Sequence, residues 1–315
     1  MLNDWISMNI KRNARGIFFI LILFSNQIRA YTLPRVNLGS NNILDGGPIR
    51  PDPGFYWQEN IQYYHSDTFF DHNGNKLGGI KSPTINSVSI VNQLIYQAKP
   101  NKRVCGSFGG VLSVPIVLSS HISKNTLNIT DAGSGFGNIA LGGYIQFNSI
   151  NYKNRPLFIH RIELDVFLPI GTNKYPQKTT NPAAIMTYID PYWAATLFFS
   201  EKLAASWRLH YLWCARNKKT NIKPGQTFHM NYSMEYNLFP HCFVAISGYY
   251  LQQLKDSTLC GVDIPNSKER VFGIGPGALY IFPKEYYLFG YLYVERQVRN
   301  RPQGIRAVMR LVKHF

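Results

Sequence analysis

Seven ionisable residues stand at alternating positions within amphipathic stretches. Arg161, Glu163 and Asp165 lie in "FIHRIELDVFLPIG", Arg208 and His210 in "SWRLHYLWCAR", and His229 and Glu235 in "TFHMNYSMEYNL". Two imidazoles on neighbouring stretches could hold a metal ion or move a proton. Either chemistry needs a carboxylate or nucleophile at suitable spacing, and the sequence assigns none. The histidines are therefore read as imidazoles of a polar wall, with no catalytic residue, no metal and no cofactor. Mixed charge on such a wall does one of two things. It closes the interior through ion pairs, or it selects a solute passing a constriction. The first is preferred for Arg161, Glu163 and Asp165, since charges of both signs in a narrow space pair.

The motifs of other chemistries are missing. There is no G-x-S-x-G, H-E-x-x-H or Walker A pattern. Gly135 to Ala140, "GFGNIA", fits G-x-G-x-x-A in letters only: the preceding "NITDAGS" is polar and no helix pattern follows. "DHNGN", 71 to 75, offers oxygens to calcium, but an Asn-Gly pair between strands is first a turn.

The elements that carry the seven residues read as β-strands. In 158 to 171, Ile162, Leu164, Val166 and Leu168 point one way and Arg161, Glu163 and Asp165 the other, because successive strand side chains leave opposite faces. Phe228, Met230, Tyr232 and Met234 likewise oppose His229, Asn231, Ser233 and Glu235, and Trp207, Leu209, Tyr211 and Trp213 oppose Arg208 and His210. Twelve such runs are expected, at 54–69, 82–98, 103–118, 138–150, 156–169, 184–199, 203–216, 226–238, 241–253, 269–282, 286–297 and 303–315. Their connections alternate between long polar segments ("DHNGNKLGG", "TNKYPQKTTNP", "NKKTNIKPG", "KDSTLCGVDIPNSK") and tight turns ("KPNK", "NYKNR", "EKL", "FPH", "PKEY"). Only "RNRP" is short where the pattern asks for length. Segregated loop lengths describe a bacterial outer-membrane barrel, short turns in the periplasm, better than a soluble sandwich. The charged faces then line the interior and the apolar faces meet lipid. Tyr56 and Trp57, Tyr192 and Trp193, and Tyr286 and Tyr287 are candidates for the aromatic girdles. Lys313 falls on the apolar face of the last strand, tolerable near the interface by snorkelling.

At the other end, Lys11, Arg12 and Arg15 precede the apolar run Ile17 to Phe24 and a polar stretch ending at Ala30. That is the layout of a secretory signal peptide, too short in its apolar core to span a bilayer. The domain reading is a signal peptide over 1–30, a strandless Gly/Pro-rich segment over 31–53 that folds into or beneath the barrel as a flexible plug, and a barrel over 54–315. Lys and Arg outnumber Asp and Glu by 33 to 17, and loss of the leader leaves about +13. Export turns that excess away from nucleic acid and towards anionic lipid and lipopolysaccharide phosphate. Cys105, Cys214, Cys242 and Cys260 are widely spaced without CxxC, implying neither a zinc site nor a disulfide framework.

The stretches "PDPGFYWQENIQYY", "DHNGNKLGG", "ELDVFLPIGTNKY", "GQTFHMNYSMEYNL", "GYYLQQLKDS", "RVFGIGPGALY" and "NRPQGIRAVMRLV", in this order from about residue 45 to the C-terminus, resemble the MetA-pathway of phenol degradation family of outer-membrane proteins. The resemblance implies a transmembrane barrel connected with uptake of aromatic compounds. The closing "RAVMRLVKHF", ending on Phe315, resembles the signal by which such proteins engage the barrel-assembly machinery.

The expectation is thus an all-β chain forming one transmembrane antiparallel β-barrel of about twelve strands. It sits in the bacterial outer membrane and passively admits small solutes, hydrophobic or aromatic compounds among them. A structural or adhesive barrel acting through basic loops is the alternative.

Overall fold

The computed structural model describes residues 33–47, 52–77, 84–123, 133–173 and 181–315; the expected signal peptide lies outside them. Twelve long antiparallel strands form the body: β1 Gly54–Phe69, β2 Ile85–Gln97, β3 Gly106–Ile122, β4 Ile139–Phe147, β5 Arg155–Leu168, β6 Tyr188–Phe198, β7 Leu203–Cys214, β8 Thr227–Phe239, β9 Cys242–Gln253, β10 Arg270–Phe282, β11 Tyr286–Arg299 and β12 Pro302–His314. Each pairs with its neighbours in sequence. β12 returns to β1 over the register Tyr56↔His314 to Phe69↔Pro302, so the sheet closes. Closure satisfies both edges of every strand, the condition for crossing lipid with β-structure.

Side-chain alternation sorts the two faces as expected. Ile162 and Leu164 are half exposed on the outer wall while Glu163 between them is buried. The connections alternate in length as well. β8 and β9 are joined by Pro240 and His241 alone, whereas β9 and β10 are separated by 254–269, which carries the short strands Thr258–Leu259 and Val262–Asp263. With Ile222–Lys223 these form a three-stranded sheet over the long-loop end. Even the exceptional "RNRP" has a structural role. Asn300 donates to the carbonyls of Asn266 and Lys268, and Arg301 pairs with Glu269 at 2.8 Å, so this tight turn anchors the loop above it. The 71–75 segment is a turn in which the Asp71 carboxylate accepts from the amides of Asn73 and Asn75. Gly74 there takes φ +85°, a conformation that suits glycine.

Each adjacent pair of girdle candidates puts only one ring outward: Tyr287 packs against the interior core and Tyr56 alternates with the inward-facing Gln58 and Asn60. Trp193 faces outward and packs edge-on against Trp207, but Tyr192 is buried on the inner wall, because adjacent strand residues cannot share a face. Lys313 sits at the short-turn end with its ammonium 4.5 Å from the Tyr286 ring centre. All four cysteines are free.

Residues 33–47 run through the interior without forming a strand. A strandless chain so buried must find partners for its amides and carbonyls elsewhere, and the inner wall supplies them. From the long-loop end downwards, the Leu33 amide donates to Glu269 and Gly39 to Asn231. Asn42 donates to the carbonyls of Tyr232 and Gly248, and Gly46 to Thr196. A Cβ on Gly39 would lie 2.6 Å from the Tyr293 ring, and one on Gly46 2.4 Å from the Ile159 carbonyl, so the close approach requires glycine. Leu33, Leu38 and Ile43 join Tyr249, Leu251, Tyr291 and Tyr293 in an apolar core. Burying a Leu or Ile side chain contributes about 1.5–3 kcal/mol. This core fills the lumen along β9–β12 and leaves space against the opposite wall.

Candidate functional site in the barrel lumen

The open space is a cavity of about 1360 Å³. Its polar wall includes Gln58, Asn60 and Gln62 of β1, Ser87 and Gln93 of β2, and Ser113 of β3. It reaches the long-loop end, where His72 and Lys219 line it, and its deepest lining includes Gln58, Ile95, Val111, Arg161 and Arg208. Below that level Tyr144 of β4 lies across β3 on the inner wall, as part of the cavity's floor, and donates to Gln97 Oε1 of β2 at 2.6 Å. Its ring lies where a Cβ on Gly109 would stand, 2.0 Å away, so a larger residue there would displace this floor. Gln146 Nε2 donates to the Gly46 carbonyl at 3.0 Å, tying the inner segment into the same floor.

Five of the seven residues singled out from sequence line this cavity: Arg161, Glu163, Asp165, Arg208 and His210. Arg161 pairs with Glu163 at 3.4 Å and donates to the Tyr192 hydroxyl at 3.0 Å. Asp165 packs so tightly over the next strand that a Cβ on Gly142 would lie 2.1 Å from its Oδ1. Arg208 makes a bidentate pair with Asp45 of the inner segment, at 2.8 and 2.6 Å, and stacks over Tyr192 at 4.3 Å. The other two residues do not line the cavity. Glu235 accepts from the Leu44 amide at 3.0 Å and the Ser233 hydroxyl at 2.6 Å, so the inner segment covers it. His229 is fully buried behind His210, the rings stacked 4.0 Å apart.

The carboxylate that the sequence did not assign to the histidines is Asp190. His210 Nδ1 lies 3.1 Å from its Oδ2 and His229 Nε2 3.4 Å from its Oδ1. The alternation Tyr188, Asp190, Tyr192 against Ile189, Pro191, Trp193 in "TYIDPYW" carried that signal within the run expected at 184–199, but Asp190 was not singled out from it. Pro191 has no amide to donate, and the pairing of β6 with β7 skips Asp190 and Pro191. The cluster is poorly satisfied: Asp190 Oδ1, His210 Nε2 and both His229 nitrogens have no hydrogen-bond partner. Each unsatisfied buried polar atom costs about 1–3 kcal/mol. These three side chains are where the described residues could hold a metal ion.

Two further residues were not singled out. Asp45 looked like one turn residue among many in "NNILDGGP", and only its placement makes it the counter-ion of Arg208. Arg310, on the inner face of β12, is 5% exposed with its guanidinium carbon 3.5 Å from the Phe289 ring centre and its Nε unpartnered.

Comparison with solved structures supports the architecture. The crystal structure of the COG4313 outer membrane channel from Pseudomonas putida F1 matches with a TM-score of 0.74 at 16% identity, over 89% of this chain and all of that one. The translocator domain of the autotransporter NalP from Neisseria meningitidis matches at 0.47, with 10% identity over 86% and 91% of the two chains. A Pseudomonas aeruginosa FadL homologue matches at 0.44, with 10% identity over 89% and 99%. The last two are too loose to bear on this chain. No curated protein matches by sequence. The chain has the fold of an outer-membrane β-barrel, and the family match covers residues 66–311: the chain belongs to the MetA-pathway of phenol degradation family.

Proposed function

We propose that the barrel is a passive channel for small solutes, hydrophobic or aromatic compounds among them, and that the inner segment sets whether it conducts. The observation that carries this reading is the 1360 Å³ cavity, which reaches the long-loop end and stops above a floor held partly by that segment. A solute entering from outside meets amides and hydroxyls of β1–β3 on one side and the rings of Phe167, Tyr188 and Tyr192 on the other. Such a mixed lining suits molecules with an apolar body and a polar handle. At the deep end Arg161, Glu163, Asp165 and Arg208 act on the passing solute, because a charge at a narrow, partly dehydrated wall is weakly screened. The role is transport rather than catalysis. Its surroundings would be outer-membrane lipid, lipopolysaccharide phosphate against the basic loops, and the barrel-assembly machinery during insertion.

The test is solute flux into liposomes containing the purified protein, compared with a variant lacking 33–47. Faster flux of small aromatic solutes through the shortened, correctly folded barrel supports the reading. Equal flux through both, no greater than through protein-free liposomes, would sink it.

A further inference from the structure

We propose that Asp190, His210 and His229 form a binding site for one divalent transition-metal ion of the zinc class, built into the inner wall across β6, β7 and β8. The residues reach each other through strand register. His210 and His229 are direct cross-strand partners, and Asp190 comes from the strand on the other side of β7. All three are buried, and one donor atom from each lies within 4.8 Å of the others.

The distances resemble the edges of a coordination polyhedron. Zinc bonds of about 2.0–2.2 Å at tetrahedral angles place neighbouring ligand atoms about 3.3–3.5 Å apart. The two nitrogen-to-carboxylate separations are 3.1 and 3.4 Å, one to each oxygen of Asp190, so the carboxylate faces both imidazoles. The imidazoles are stacked with their centres 4.0 Å apart, so binding one ion between them requires the rings to turn towards each other. The donor set, two imidazoles and a carboxylate, favours zinc, copper, nickel or cobalt over calcium or magnesium, which prefer all-oxygen sites.

Two independent observations point to a missing cation. His229 is fully buried with neither ring nitrogen in a hydrogen bond, its Nε2 meeting Asp190 Oδ1 only as a 3.4 Å contact outside hydrogen-bond geometry. Further, Asp190 and Asp165 are direct cross-strand partners, and like charges so placed repel. Arg208, the nearest wall cation, is taken up by Asp45. A divalent ion on Asp190 would offset that repulsion. Asp165 Oδ1, buried and without a partner, would then be available to a water on the ion. Asp165, Asp190 and His210 all line the cavity, so an ion has a route in.

The experiment uses full-length folded barrel carrying no polyhistidine tag, stripped with chelator, and titrated with Zn²⁺ and with Co²⁺ as a spectroscopic probe. The expected result is one ion per chain, with Co²⁺ giving the intense visible absorption of a low-coordinate nitrogen and oxygen site. Asp190→Asn, which keeps the side-chain shape, and His229→Gln should each weaken binding at least about tenfold, the scale on which even supporting residues act. His241→Gln, at a short turn, should leave it unchanged. Folding of every variant is checked by the shift between heated and unheated barrel on a denaturing gel, and Asp190→Asn stands as the test if His229→Gln does not fold. No stoichiometric ion in the native barrel, or equal affinity in native protein and Asp190→Asn, would overturn the proposal. Because the readout is binding and absorption, it does not depend on transport.

Discussion

Asp45→Ala is the sharpest perturbation of the proposed gate. Asp45 belongs to the inner segment and Arg208 to the wall, and their side chains are only 3% and 5% exposed. Removing the carboxylate leaves a guanidinium buried and unpaired while the segment stays seated, but free to hydrate once it leaves. Breaking one partner of a buried pair costs about 3–5 kcal/mol, all of it charged to the seated state. At about 1.4 kcal/mol per tenfold, the ratio of seated to unseated segment should fall by about two to three and a half decades. The pair is shielded from solvent, so the effect should survive at about 1 M salt, where surface pairs are screened within roughly 3 Å. The assay is single-channel recording in planar bilayers, counting openings of Asp45→Ala against the native barrel. A double variant, Asp45→Ala with Arg208→Ala, should recover part of the closure because neither charge is then stranded. A folded Asp45→Ala barrel that opens no more often than the native one would refute the idea that this ion pair holds the segment.

Three other outcomes are expected. In the opened Asp45→Ala background, Arg161→Ala should alter ion selectivity, while neutralising the loop lysines Lys218, Lys219 and Lys223 should alter it much less; the reverse ranking, with loss of surface binding in the loop variant, would favour an adhesive role. Cysteines at Asn75 and Lys219 should be labelled by an impermeant reagent on intact cells and one at Asn154 should not, since the first two lie at the long-loop end and the last in a short turn; inverted labelling would reverse the orientation. The Asp71 carboxyl is held below its ordinary pKa, chiefly by the Asn75 amide, so the charged form stabilises the 71–75 turn above the usual carboxylate range and is lost as pH falls through the lowered value. Proteolysis of that loop should rise on acidification in the native protein and be insensitive to the same pH step in Asp71→Asn.

The barrel itself was legible in the sequence. Strand period is a local property: Ile162, Leu164 and Val166 against Arg161, Glu163 and Asp165 declare two faces without reference to any other part of the chain. The loops, alternately "NKKTNIKPG" and "FPH", declare two ends in the same way. Twelve such strands leave closure as the way to satisfy their edges in lipid. What the tertiary structure alone decided is which inward residues meet. His210 and His229 were visible, but their carboxylate, Asp190, sits beside a proline on another strand, and register rather than local pattern brings it within 3.1 Å of His210. Glu235 was visible as inward-facing, yet the Leu44 amide covers it, a contact between positions 191 residues apart. Asp45 had no periodic pattern to announce it, because a strandless segment takes its conformation from the wall it fills. Periodicity states which way a side chain points; only closure of the barrel around residues 33–47 determines what it finds there.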